Sequence, residues 1–353
     1  MSIIRVGYFC YRVLMEKLPV EKAIGRSLAH DLTEVNPYYR RKCVAFCRGH
    51  VISEQDLEVL KQMGKRHLYV GPVDTGQIHE DQVALTLAPY LAGPGIGHDR
   101  VTKEGKVNFR ALDAGLFRVD IERLTDLNRM EVPSMPTIHD RFPVVEGKVV
   151  AAFRIIPLTC SESVFERMKG VAETPLIWLD PYVIQRAAIV VTGSEVYSGA
   201  VEDRFVPRLR YKLQQLGVET TFSTVVPDDR CAIAEAVRKA EQVAELVLVT
   251  GGTSVDPDDV TFQAMADVGV TFQRRGNPVQ PGNHMSLGRK SDRVYCSVPA
   301  AALHFQTTAL DLFLPRLLTG DMPTDEELAS AGHGGLCHFC EPCVYPVCPF
   351  GRF

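Results

Sequence analysis

The chain is 353 residues long, with 46% hydrophobic and 23% charged residues, ordinary values that exclude a disordered, collagenous or low-complexity chain. Basic side chains number 39 against 43 acidic ones, a formal charge of −4, so neither nucleic acid nor anionic lipid is an expected partner. No apolar run approaches the roughly 18 residues that span a bilayer, and the length suits two domains or one with large additions.

Met1–Lys17 mixes Arg5, Arg12, Glu16 and Lys17 with apolar residues and has no small-residue cleavage pattern, so export is not expected and a cytoplasmic location is. Residues 1–185 carry short β-like runs at Val44–Phe46, His67–Val70, Val107–Phe109 and Val144–Pro157, the last divided by Glu146-Gly147-Lys148. A β-rich N-terminal region is predicted. Helices are predicted over Glu54–Met63, capped by Ser53, and near Asp81–Leu91. The G-x-G-x-G spacing within Leu91–His98 lacks the strand-before, helix-after context of a dinucleotide site and reads as a loop without a cofactor. Cys43 and Cys47 lie four residues apart on one face of a predicted strand and read as core thiols. Trp178, in Leu176–Leu179, reads as a packing residue.

From Arg186 strands and helices alternate. Strand Ala187–Val191 is followed by helix Asp203–Leu216, strand Val218–Val226, helix Asp229–Gln242 and strand Glu245–Thr250. A glycine turn with a short helix, strand Arg293–Val298 and one long helix from Ala300 to Leu318 complete the run. In the first helix Phe205, Leu209, Leu213 and Leu216 share a face, with Arg204, Arg208, Lys212 and Gln215 directed elsewhere. This repetition predicts an α/β fold with a mainly parallel sheet, helices on both faces, and ligands at the carboxyl ends of the strands.

The post-strand loops hold Thr192-Gly193-Ser194-Glu195 and Thr250-Gly251-Gly252-Thr253-Ser254. Either alone reads as a connecting turn; two on one sheet edge read as an anion cradle, with unpaired N–H groups and hydroxyls. No Walker-type G-x-x-x-x-G-K-[ST] occurs. Glu195, Asp228 and Asp259 would crowd a bound phosphate with carboxylates, which calls for a divalent cation, Mg2+. Asp229 reads as a helix cap, and Asp256 and Asp258 as turn residues flanking Pro257. Gly276–His284 is a rigid turn that suits a pocket wall or an inert loop.

These residues resemble the molybdenum-cofactor biosynthesis domain of molybdopterin molybdotransferases and related molybdopterin-binding proteins. The resemblance rests on Thr192-Gly193-Ser194-Glu195-Val196, Val226-Pro227-Asp228-Asp229, Leu248 to Ser254 with Asp259 beyond, Pro281-Gly282 and Val298-Pro299, and covers residues 186–320. Leu18–Asp31 and Val51–Gly64 look like parts of the molybdotransferase N-terminal region. The resemblance implies binding of molybdopterin, in its adenylylated form, with Mg2+ and molybdate. Carried over by position, Glu195, Asp228 and Asp259 are the acidic positions around phosphate and metal. Thr192, Gly193, Ser194, Thr250, Gly251, Gly252, Thr253, Ser254, Pro281, Gly282, Asn283 and Pro299 fall on the binding rim. A homo-oligomer, and partners among molybdoenzymes or cofactor-biosynthesis proteins, are implied too.

The departures are specific. The family usually has Asp where Ser194 stands, Gly where Asp256 stands, Lys where Asn283 stands, and Gly-Asn-Pro where Ala300-Ala301-Ala302 follows Pro299. Loss of a cation and a glycine weakens anion binding. No room is expected for the C-terminal β-domain of typical molybdotransferases. Residues 321–353 form instead a Cys-rich tail with Cys337, Cys340, Cys343 and Cys348 in a C-x2-C-x2-C-x4-C-P run, close to a bacterial ferredoxin spacing. This predicts an iron-sulfur cluster or Zn2+, the former favoured because Cys340 is cramped for a tetrahedral zinc. His333 and His338 could add ligands, although most such histidines are simply exposed. A similar tail accompanies the domain in molybdopterin-binding proteins of anaerobic bacteria. Two functions are expected: insertion of molybdenum or tungsten into adenylylated molybdopterin, or retention of pterin or finished cofactor by a carrier or redox-linked sensor.

Overall fold

The computed structural model describes residues 15–36, 41–251 and 260–351. Gly252, Thr253, Ser254, Asp256, Asp258 and Asp259, all singled out above, lie outside the described residues. The chain forms two compact units, one of Met1–Arg110, Asp120–Thr137 and Val149–Ile177, the other of Ala111–Val119, Ile138–Lys148 and Trp178–Phe353. No helix among the described residues is long and apolar enough to cross a membrane.

In the first unit Glu16–Pro19 pairs antiparallel with His67–Val70, and Leu32–Asn36 with Arg41–Phe46. Val20, Leu28, Ile52, Leu60 and Leu68 pack beneath them. The first helix spans Asp56–Gln62 and stops at Gly64, whose φ of +75° suits a residue without Cβ. Ser53 does not cap it as predicted. The carboxylate of Asp56 accepts instead from the backbone N–H and hydroxyl of Ser53, both at 2.8 Å, so donor and acceptor roles are reversed. Cys43 and Cys47 are exposed, not core thiols. Cys43 lies in a two-stranded ribbon whose inward side is taken by Phe46, of opposite parity, and Cys47 follows the end of that strand. The helix Glu80–Leu91 forms as predicted, while the Gly/Pro-rich segment after it contains a short strand, Ile96–His98. That strand edges a four-stranded sheet with Val107–Ala111, Val149–Ile155 and Pro133–Ser134.

The second unit holds a small sheet of Phe142–Val144, Gly115–Val119 and Ile177–Pro181. Trp178 Nε1 donates to Asp180 at 3.1 Å, and the Arg118 guanidinium lies 5.4 Å above its ring, a half-buried cation–π contact. The Glu146–Lys148 turn is present, with Gly147 at φ +79°. The runs on either side of it pair with different partners, Phe142–Val144 with Gly115–Val119 and Val149–Ile155 with Val107–Ala111.

The larger sheet of this unit has six strands: β1 (Arg186–Thr192), β2 (Glu219–Val226), β3 (Leu246–Thr250), β4 (Thr271–Arg274), β5 (Ser286–Lys290) and β6 (Arg293–Val298), in the order β2-β1-β3-β6-β5-β4. The first four of that order run parallel. Alternation along the strands explains why both faces are covered. Ile189, Val191, Leu246, Leu248 and Val298 meet Leu209 and Leu213 of α2 (Phe205–Gln215) and Phe313 and Leu317 of α6 (Ala309–Leu318). Ala188, Val190, Val247 and Val249, of the other parity, meet Ile233 and Val237 of α3 (Arg230–Ala240) and Met265 of α4 (Thr261–Asp267). The remaining helices are α1 (Ser194–Tyr197), α5 (Ala301–His304) and α7 (Asp325–Ser330).

Three predictions for this unit require correction. β4 and β5 are antiparallel additions beside β6, and Gly276–His284 is the turn between them. The long helix after β6 is broken into α5 and α6, because Thr308 and Asp311 form a capping box that starts a new helix. Lys212 does not point away with its charged neighbours; it is 8% exposed and pairs with Asp311.

Candidate functional site

Beyond β1 the chain passes to β2 on one side, and beyond β3 to β4 at the opposite edge, so the carboxyl ends of β1 and β3 flank a switch point. Open α/β sheets place ligands at such a crevice. Thr192 and Thr250 end these strands and are buried at 3% and 0% exposure. Gly251 has φ +93°, and a Cβ there would stand 2.0 Å from the Thr192 carbonyl oxygen and 2.5 Å from its Oγ1. Only glycine permits this approach of the two strand ends. Thr261 Oγ1 donates to the Gly251 carbonyl at 3.0 Å and lies 3.4 Å from Thr192 Oγ1. Thr261, at the start of α4, was not singled out from sequence. The Thr250 hydroxyl is buried and finds no partner among the described residues.

The turn after β1 is tied to the one after β2. Gly193, at φ +152°, donates its N–H to the Val226 carbonyl at 3.1 Å. Ser194 N–H donates to Asp228 Oδ2 at 2.8 Å, and Asp228 N–H donates to Ser194 Oγ at 3.2 Å. This turn was expected to offer unpaired N–H groups to an anion. Two of them are instead committed inside the protein, one to a carboxylate in a charge-assisted bond. Glu195 folds back over Gly193, where an added Cβ would come within 3.2 Å of Glu195 Oε1. Thr192, Gly193, Ser194, Glu195, Asp228 and Gly251 thus share one rim, with Ser194, Glu195 and Asp228 exposed. Asp229 accepts from Ala232 N–H at 2.8 Å and caps α3.

Pro281 and Gly282 lie against the amino end of α6: Ala309 N–H donates to the Pro281 carbonyl at 2.9 Å, and a Cβ on Gly282 would be 2.9 Å from Ala309 N. Asn277, 8% exposed, braces this turn by donating to the carbonyls of Gly282 and Met285 at 3.2 and 3.0 Å. Asn283 is exposed, and Pro299 is buried at the end of β6.

Two metal expectations meet different donor sets. Asp228 and Glu195 offer the hard carboxylate oxygens that suit Mg2+, an ion usually held by one or two carboxylates together with substrate phosphates. The four tail thiols are not gathered: no group of three or more His, Cys, Asp or Glu side chains among the described residues is arranged to hold a metal. Cys343 Sγ lies 3.2 Å from Thr307 Oγ1, Cys337 Sγ accepts from Phe339 N–H at 3.4 Å, Cys348 packs on the helix-covered core, and Cys340 is exposed. As arranged, these thiols do not fit a cluster.

Residues 188–319 match the family profile described as "Probable molybdopterin binding domain". This stretch is a domain of that family. Residues 17–71 match a domain of unknown function. Over 85 residues the chain is 39% identical to the CinA-like protein of Mycobacterium tuberculosis, a stretch that covers 24% of this chain and 20% of that protein. The chain therefore spans about a fifth of the length of such curated relatives. The molybdopterin biosynthesis enzyme MoaB of Thermus thermophilus is similar at 20% identity and a TM-score of 0.32, over 39% of this chain and 98% of that one. A molybdenum cofactor biosynthesis protein of Pyrococcus furiosus is similar at 15% identity and a TM-score of 0.26, over 87% of this chain and 64% of that one. The molybdopterin-binding domain coincides with the parallel strands and carries the rim described above.

Proposed function

We propose that the rim at β1, β2 and β3 binds molybdopterin in its adenylylated form and inserts molybdate with the help of Mg2+. The observation that carries this reading is the approach of β1 and β3 at Gly251, which sets Thr192, Glu195 and Asp228 around one crevice in a molybdopterin-binding domain. Asp228 and Glu195, with Asp259 from outside the described residues, would hold the magnesium. When bound, that ion neutralises charge developing on the phosphate oxygens as the phosphoanhydride is cleaved. The Ser194 N–H holds the Asp228 carboxylate in place through Oδ2. Pro281, Gly282, Asn283 and Pro299 complete the wall, and the reaction belongs to a cytoplasmic protein.

A second reading has its own support. Because Asp228 already occupies the Ser194 N–H, one donor is withdrawn from an incoming phosphate, which suits a carrier or sensor that holds pterin without turnover. Protein supplied with adenylylated molybdopterin, magnesium and molybdate separates the two. Release of AMP, abolished in Asp259→Asn, supports insertion; tight retention without AMP supports the carrier; and failure to retain or convert the compound overturns both. An iron-sulfur or zinc site at Cys337, Cys340, Cys343 and Cys348 would require the tail to rearrange, and no step is assigned to it.

A further inference from the structure

The second unit contains a cavity of about 430 Å³, lined by none of the rim residues and, of the tail cysteines, by Cys343 alone, within the range of small-molecule sites. Its apolar walls come from Val144 of the small sheet, Leu216 after α2 and Leu314 of α6. Tyr211 and Tyr345 add aromatic surface, and Tyr345 Oη donates to the Asp311 carbonyl at 2.8 Å, which anchors the tail segment as a wall.

The charged part of this lining is a single buried pair, beside the buried Thr307 side chain and the Tyr182 hydroxyl, which finds no partner among the described residues. Lys212, 8% exposed, donates to the Gln306 carbonyl at 2.7 Å and to the Asp311 carboxylate. An ammonium has three donors, so one remains uncommitted among the described residues. The Asp311 carboxylate balances the Lys212 charge, so an anionic ligand would gain little net attraction here. A cation would meet Lys212 directly, and either ion would carry a desolvation cost. A neutral ligand with an acceptor avoids that cost and satisfies the remaining Lys212 donor.

We propose that this cavity binds a neutral, flat aromatic carbonyl compound, its ring between the tyrosine and aliphatic walls and its oxygen on the Lys212 ammonium. The probe is a neutral dialkylaminocoumarin, titrated by fluorescence polarisation into the full chain, beside the chromene analogue that lacks only the carbonyl. Saturable binding of the coumarin is expected, with the chromene about tenfold weaker, the worth of one hydrogen bond to a charged donor. Gln215 lines the cavity from an exposed position on α2, so Gln215→Trp should obstruct it and weaken coumarin binding at least tenfold while circular dichroism stays unchanged. Absence of saturable binding, equal affinity for the two compounds, or unaltered binding in Gln215→Trp would overturn the proposal. The chromene comparison uses the unaltered protein and does not depend on any variant folding.

Discussion

The close passage of two strand ends at Gly251 can be tested by adding one methyl group. In Gly251→Ala the new Cβ would lie 2.0 Å from the Thr192 carbonyl oxygen, far inside contact distance, and the nearest atom is backbone that cannot rotate aside. A non-glycine residue in left-handed backbone costs ~1–2 kcal/mol, and overpacking a fixed interior adds ~1–3 kcal/mol, so a total loss of about 2–5 kcal/mol is expected. Gly199→Ala supplies the control: its φ is +79°, but a Cβ there meets nothing within 4 Å, so only the backbone cost of ~1–2 kcal/mol applies. Trp178 is the only tryptophan in the chain and belongs to the second unit, so its fluorescence follows unfolding of the unit that contains both glycines. With urea slopes of ~1–3 kcal/mol per molar, the overpacking difference alone should lower the midpoint about 1 M further in Gly251→Ala than in Gly199→Ala. Equal midpoints for the two variants would refute the claim that β1 and β3 meet there, and the shared rim with it.

Burial pushes the Glu327 carboxyl up, but the Arg316 guanidinium, the Thr324 N–H and the Arg141 guanidinium outweigh it and hold the group at about 2. A carboxyl depressed in the folded state stabilises above its unfolded pKa and loses that contribution as pH falls toward the folded value. Stability of the second unit should therefore decline between about pH 4.5 and 2, and Glu327→Gln should flatten that part of the profile in acid titration followed by Trp178. At the rim, Ser194→Asp restores the family's usual carboxylate next to Asp228; without magnesium it should destabilise by roughly 0.5–1 kcal/mol through like-charge repulsion, and it should tighten Mg2+ binding measured by calorimetry. Unchanged or weaker Mg2+ affinity would argue against a cation held between these turns.

The parallel core was legible because its pattern is local. Ala187 to Val191 is apolar at every position, the mark of a strand covered on both sides, and Leu209 and Leu213 repeat at helical spacing. The rim was legible for a related reason, since glycines at strand ends mark places where backbone must come close. What escaped depends on partners distant in sequence. Lys212 is buried because Asp311 stands 99 residues away to meet it. The short β5 carries Arg289 and Lys290, whose partners Gly320 and Glu241 no spacing rule connects to it. The break between α5 and α6 was visible as Thr308 and Asp311, but an uninterrupted apolar face masked it. Cys43 and Cys47 were misplaced because parity says which residues share a side, not which side is wet.

The strand Gly115–Val119 and the segment Ile138–Lys148 belong to the second unit although they are flanked by chain of the first. Severing the polypeptide at Arg186 would therefore not liberate an intact half-molecule, since Arg118, Asp140 and Asp180 would be lost together with the contacts that link them. During synthesis these pieces are made before β1, and the unit to which they belong closes only once the later chain has followed.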